Sequence, residues 1–96
     1  MTKTELLSKL QHVQVELKNR FGIEKIALFG SYARDEANED SDIDIAIMRV
    51  EKKDYFKRIE AKYYLEDLLQ KKVDIGYFDS IRPIIQKYIK KDLLLV

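Results

Sequence analysis

Apolar residues recur along the first twenty positions at three- and four-residue steps: Leu6, Leu10, Val13 and Leu17, with Phe21 in line to extend the stripe. That spacing predicts an amphipathic helix, capped by Thr4 and stopped by Gly22. The rhythm then shortens. Ile26 to Phe29 is a brief apolar run closed by Gly30, which reads as a strand. Residues Ser31 to Ala37 read as a helical turn or two, followed by a polar loop through Ser41. From Ile43 to Met48 β-branched residues alternate with Asp42, Asp44 and Ala46, the mark of a strand with two unlike faces. Asp54 is placed to cap a longer helix that turns Tyr55, Phe56, Ile59, Tyr63 and Leu68 inward. Val73 to Phe78 reads as a third strand. Asp79 or Ser80 is expected to cap the last helix, with Pro83 in its first turn.

The predicted order is αβαβαβα, an α/β fold forming a single small domain over residues 1–96. Its sheet is mixed, three-stranded or slightly larger, with helices packed on one face. About a dozen residues join the first two strands, so these are taken as antiparallel neighbours, with Gly30 beside Asp42. A full helix joins the second and third strands, the crossover of a parallel pair. The starts of these two strands then lie side by side, and the third carries Asp74. Side chains two apart share a face. Ile43, Ile45 and Ile47 should face the helices. Asp42, Asp44 and Asp74 should share the other face, kept open by Ala46 and Gly76.

Composition narrows the classes. Ninety-six residues, 46% apolar and 36% charged, suit one soluble domain. No apolar run approaches the roughly 20 residues that span a bilayer, and the first ten residues are too polar for a secretory signal. Cysteine is absent, which removes disulfides and thiolate metal sites. The cytoplasm is the expected compartment. Residues 1–51 carry 7 basic and 10 acidic side chains, and residues 52–96 carry 11 and 7. These cations are interleaved with acids and form no stripe, so nucleic acid is not expected as a direct ligand.

Six carboxylates (Asp35, Glu36, Glu39, Asp40, Asp42 and Asp44) fall within the ten residues 35–44. Like charges this close are costly in a compact fold unless a cation offsets them. Oxygen-only ligands favour magnesium or manganese over zinc or copper. A solvated acidic edge is the plainer alternative, weakened by the independent arrival of Asp74. A calcium loop starting at Asp40 fails, because its sixth position is Ile45 where glycine is needed for the turn. Gly30 and Ser31 lie where a strand gives way to a helix, a place suited to phosphate. No GKS/GKT loop or GxGxxG is present. Arg34 stands between two roles, a phosphate contact or a bridge to the acidic loop. His12 is expected on the surface, and Tyr77 turned to the core. The tail Leu93–Val96 either packs back or meets a partner.

Gly30-Ser31, ten residues, then Asp42-x-Asp44, with Asp74 on a later strand, resembles the signature of the DNA polymerase β-like nucleotidyltransferase superfamily. The phrases GSYAR and SDIDIAI, within a span covering residues 23–80, look like the minimal nucleotidyltransferases, the MNT antitoxins of HEPN/MNT toxin–antitoxin pairs. One departure is Asp35, where many members have glycine. The resemblance implies a polymerase β palm-like sheet, two Mg2+ ions on Asp42 and Asp44 with Asp74 completing the triad, and a triphosphate held by Gly30 and Ser31. It further implies a magnesium-dependent transfer of AMP from ATP to a tyrosine hydroxyl of a HEPN ribonuclease toxin. A domain this small holds a nucleotide platform without enclosing an acceptor, so a partner protein, in a possible mixed oligomer, is expected to supply that surface. A contact-only binding module is the rival expectation.

Overall fold

Strand β2 (Ile43–Val50) organises the chain, because both strands that carry candidate chemistry pair with it. Strand β1 (Ile23–Phe29) runs antiparallel to it, with Phe29 opposite Asp44. Strand β3 (Val73–Tyr77) runs parallel to it, with Asp44 opposite Asp74 and Ala46 opposite Gly76. The computed structural model describes every residue from Met1 to Val96 and adds a fourth strand, β4 (Leu94–Leu95), antiparallel to β1. The mixed sheet has the order β3-β2-β1-β4. The tail therefore packs back on the domain, with the Val96 N–H donating to the Ile26 carbonyl at 3.1 Å and Gln14 Nε2 to the Val96 carbonyl at 2.8 Å.

The first apolar stripe is buried as expected but divides into α1 (Lys3–His12) and α2 (Gln14–Phe21), broken at Val13 (φ −106°, ψ 9°). The cap is Thr2, not Thr4. Thr2 has Glu5 three residues on, so the two complete a reciprocal capping box, whereas Thr4 has Leu7 there. Gly22 ends α2 in the left-handed region at φ 68°. Helix α3 (Gly30–Ala33) is a single turn, shorter than expected.

Helix α4 (Tyr55–Leu69) starts at its expected cap, Asp54, whose side chain accepts from the Lys57 N–H at 3.1 Å. Its buried stripe differs from the expectation. Ala61, Leu65 and Leu69 face the core, Ile59 is half-buried, and Tyr55, Phe56, Tyr63 and Leu68 are exposed. Apolar residues fall on several sides of this helix, so periodicity alone left two stripes open and packing against α2 and β3 chose between them. At the other end Phe78–Ser80 forms a 3-10 turn, and α5 (Pro83–Ile89) follows. Neither Asp79 nor Ser80 caps it. Pro83 holds Arg82 extended (φ −56°, ψ 140°), so the helix cannot begin earlier.

Helices α1, α2 and α4 bury Ile43, Ile45, Ile47, Val73 and Ile75 in a core of 18 residues. The connection from β2 to β3 moves one place across the sheet over this face. The connection from β3 to β4 moves the opposite way, past β2 and β1, between strands that are again parallel. Ala27 and Ala46 are fully buried yet outside the main core, so the face opposite the isoleucines is covered at these two residues.

Candidate functional site

The face opposite the isoleucines begins with three aspartates. Asp44 and Asp74 are paired residues of neighbouring strands, so their Cα atoms stand about 4.8 Å apart and their side chains leave the same face. Asp42 lies just outside β2, two residues before Asp44. Asp42 and Asp74 are exposed and Asp44 is half-buried; none turns into the core. A Cβ added to Gly76 would meet nothing within 4 Å, so this part of the face is open as expected. Ala46 instead forms a closed floor.

Gly30 closes β1 against this group. Its φ of 78° suits glycine, and a Cβ built there would collide with the Asp44 carboxylate, Oδ2 first and Cγ at 3.0 Å. The expectation set Gly30 beside Asp42. The register sets it against Asp44, because Phe29 already lies opposite that residue. Ser31 follows as a partly exposed residue of α3.

Crowding is visible in the acid chemistry. Burial pushes the Asp44 carboxyl above its usual range, Asp74 and then Asp42 add to the rise, and the Arg34 guanidinium opposes it. Arg34 bridges the acidic loop through Nε to Glu36 at 3.3 Å, one of its two expected roles, and also reaches Asp92 through Nη1 at 3.2 Å. Asp92 is the residue that sequence reasoning missed. It lies 58 positions away, and no local spacing connects it to Arg34. Asp35 adopts φ 58°, the left-handed conformation glycine takes most easily and aspartate tolerates. The departure thus keeps a left-handed turn. His12 is exposed, as expected, and its Nδ1 is bonded to the Ser8 carbonyl at 2.8 Å. Tyr77 packs against the core, its hydroxyl donating to the Asp54 carbonyl at 3.3 Å.

No three acidic, histidine or cysteine side chains in the chain close around a point as a finished metal cage. Asp42, Asp44 and Asp74 are neighbours on an open face, a donor set that fits magnesium if phosphate and water supply the remaining oxygens. The larger cavities lie elsewhere. One of about 580 Å³ is lined by Lys62, Glu66, Gln70, Lys71 and Lys72, one of about 490 Å³ by Asp54, Arg58, Gly76 and Tyr77, and one of about 380 Å³ follows Ile47–Lys53. None includes the three aspartates. Chemistry outweighs concavity here, because paired carboxylates on an open face have a specific use and those hollows have no comparable donor set.

Known proteins resemble this chain in sequence and fold. The nucleotidyltransferase domain family matches residues 10–96. Protein adenylyltransferase MntA of Thermococcus cleftensis is 40% identical over 96 residues, covering 100% of this chain and 97% of that protein. MJ0126 of Methanocaldococcus jannaschii is 43% identical over 96 residues, covering 99% and 98%. A solved minimal nucleotidyltransferase superposes with a TM-score of 0.80 at 29% identity, covering 98% of this chain and 95% of the other. A toxin–antitoxin structure with AMP-PNP superposes with a TM-score of 0.72 at 22% identity, covering 99% and 72%, a likeness of fold alone.

Proposed function

The chain belongs to the nucleotidyltransferase domain family, and from that premise we propose that it transfers AMP from ATP to a hydroxyl, a tyrosine's by preference, on a partner protein. The partner is a HEPN-type toxin, the modification silences it, and this chain is its antitoxin in the cytoplasm. Residues 1–96 act as one nucleotidyltransferase unit. The observation that carries the reading is the in-register pair Asp44 and Asp74, with Gly30 seated against the Asp44 carboxylate. The names of the relatives support a protein acceptor, and the toxin–antitoxin neighbour supports a toxin as partner.

Gly30 and Ser31 hold the triphosphate, the glycine by allowing close approach and the serine through its hydroxyl. Arg34 contributes charge to the phosphates. Asp42, Asp44 and Asp74 would hold two Mg2+ ions, which when bound neutralise phosphate charge and lower the pKa of the incoming hydroxyl. Asp74 would also accept that hydroxyl's proton. The hydroxyl oxygen attacks the α-phosphorus, the bond to the β-phosphate oxygen breaks, and pyrophosphate departs. Catalysis is then mostly positioning and charge neutralisation.

Incubation with α-labelled ATP, magnesium and the partner tests this. Asp42→Asn should lower label transfer at least about 10²–10³-fold with the fold intact. Normal labelling by that variant would refute the assignment. A second reading has its own support. Tyr55, Phe56 and Tyr63 on α4, with Ile84, Ile85 and Tyr88 on α5, are large exposed apolar side chains, as a module acting by contact would present. Neutralisation without label, unchanged in Asp44→Asn, would favour it.

A further inference from the structure

Arg34 follows the candidate phosphate residues Gly30 and Ser31 on the same helical turn, and its Nε and Nη1 donors are taken by Glu36 and Asp92. It ends α3 one turn from Gly30, a rise of about 6 Å, within the span of an arginine side chain. Its charge is felt at Asp44. Two carboxylates now hold it. Glu36 is local, but Asp92 closes a bridge between α3 and the segment leading into β4.

That segment is lightly held. Strand β4 has two residues, paired only through Ala27–Leu95 and Leu28–Leu94. Beyond it the tail rests on the Val96–Ile26 and Gln14–Val96 hydrogen bonds and on Leu94 and Val96, half-buried against the edge of the core. A chain-terminal edge with so few backbone hydrogen bonds opens locally at lower free energy than the central strands.

We propose that Asp92 holds Arg34 away from the nucleotide's phosphates in the resting protein, so that triphosphate binding and docking of the segment Asp92–Val96 oppose each other. The inference rests on the nucleotide reading above. A triphosphate carries several negative charges and many acceptor oxygens against the single charge of a partly exposed carboxylate, so it wins the guanidinium when bound. Loss of the Asp92 bridge removes one tie on the tail. By reciprocity, anything that removes the bridge tightens nucleotide binding by the same factor. Exposed ion pairs contribute little, which bounds the coupling at about three- to fivefold.

The test is calorimetric titration of the full chain with ATP and magnesium. Asp92→Asn should bind about three- to fivefold tighter than the native protein. In an Arg34→Gln background, itself weaker, Asp92→Asn should bring no gain. An equal gain in both backgrounds would mean that Asp92 merely repels the nucleotide, and no gain in either would mean that it does not compete; each overturns the proposal. Hydrogen exchange needs no variant: the Leu94–Val96 amides of the native chain should exchange faster with MgATP, and slower or unchanged exchange also overturns it. A native chain that binds no ATP sinks the nucleotide reading first, and this inference with it.

Discussion

The two faces of β2 are made by adjacent residues and obey opposite rules. Ile43, Ile45 and Ile47 are 0–3% exposed and belong to the main core. One step along the backbone, Asp42 and Asp44 share a face with Asp74, where burial and like charge raise the proton affinity of Asp44. The packed face holds the sheet together. The other keeps charges closer than they would choose, and the packed face makes that tolerable by fixing the register. Strand pairing transmits stability from one side to the other, so the acidic cluster can be unfavourable by itself and still be held.

Substitution on the packed face should cause the largest loss of stability. Ile45→Ala removes a fully buried side chain beneath the aspartates and should destabilise by about 2–5 kcal/mol, a large part of what a small domain has. Its urea midpoint should fall while the fraction still folded binds nucleotide normally. Lost affinity in the folded fraction would show that the faces are not separable. Gly30→Ala joins the two sides. Left-handed strain costs about 1–2 kcal/mol, and the new methyl must also displace the Asp44 carboxylate. Stability should fall modestly and label transfer sharply, a split read by chemical denaturation beside the radiolabel assay.

The smallest effect has the opposite sign. Asp44 has a folded-state pKa above its ordinary 3.8. Such a group destabilises nothing below the ordinary value, and its penalty grows as pH rises through the raised one. Asp44→Asn without metal should therefore melt higher than the native chain at pH 7, by roughly a few degrees once solvent screening is allowed for. The gap should close as pH falls towards about 4. A gap that persists there would assign the gain to something other than charge.

Much of this was legible from short-range pattern. Alternation at Asp42–Met48 placed the aspartates on one face, and the helix-length link to Val73 implied the parallel partner that brings Asp74 alongside Asp44. The Gly30 turn, the Gly22 stop and the Asp54 cap needed no more than a few neighbouring residues. Where local rules competed, the chain chose otherwise. Thr2 completes a box that Thr4 cannot, and Pro83 overrides the caps at Asp79 and Ser80.

By itself the sequence determined the type of each main element and the faces of β2 and β3, because those depend on backbone sterics and side-chain period within a few residues. Only the tertiary structure decided that Leu65 and not Tyr63 is buried, that Gly30 lies against Asp44, that the tail forms β4, and that Asp92 reaches Arg34. These depend on register and on how separate elements pack, and such contacts arise from surfaces meeting across the whole chain.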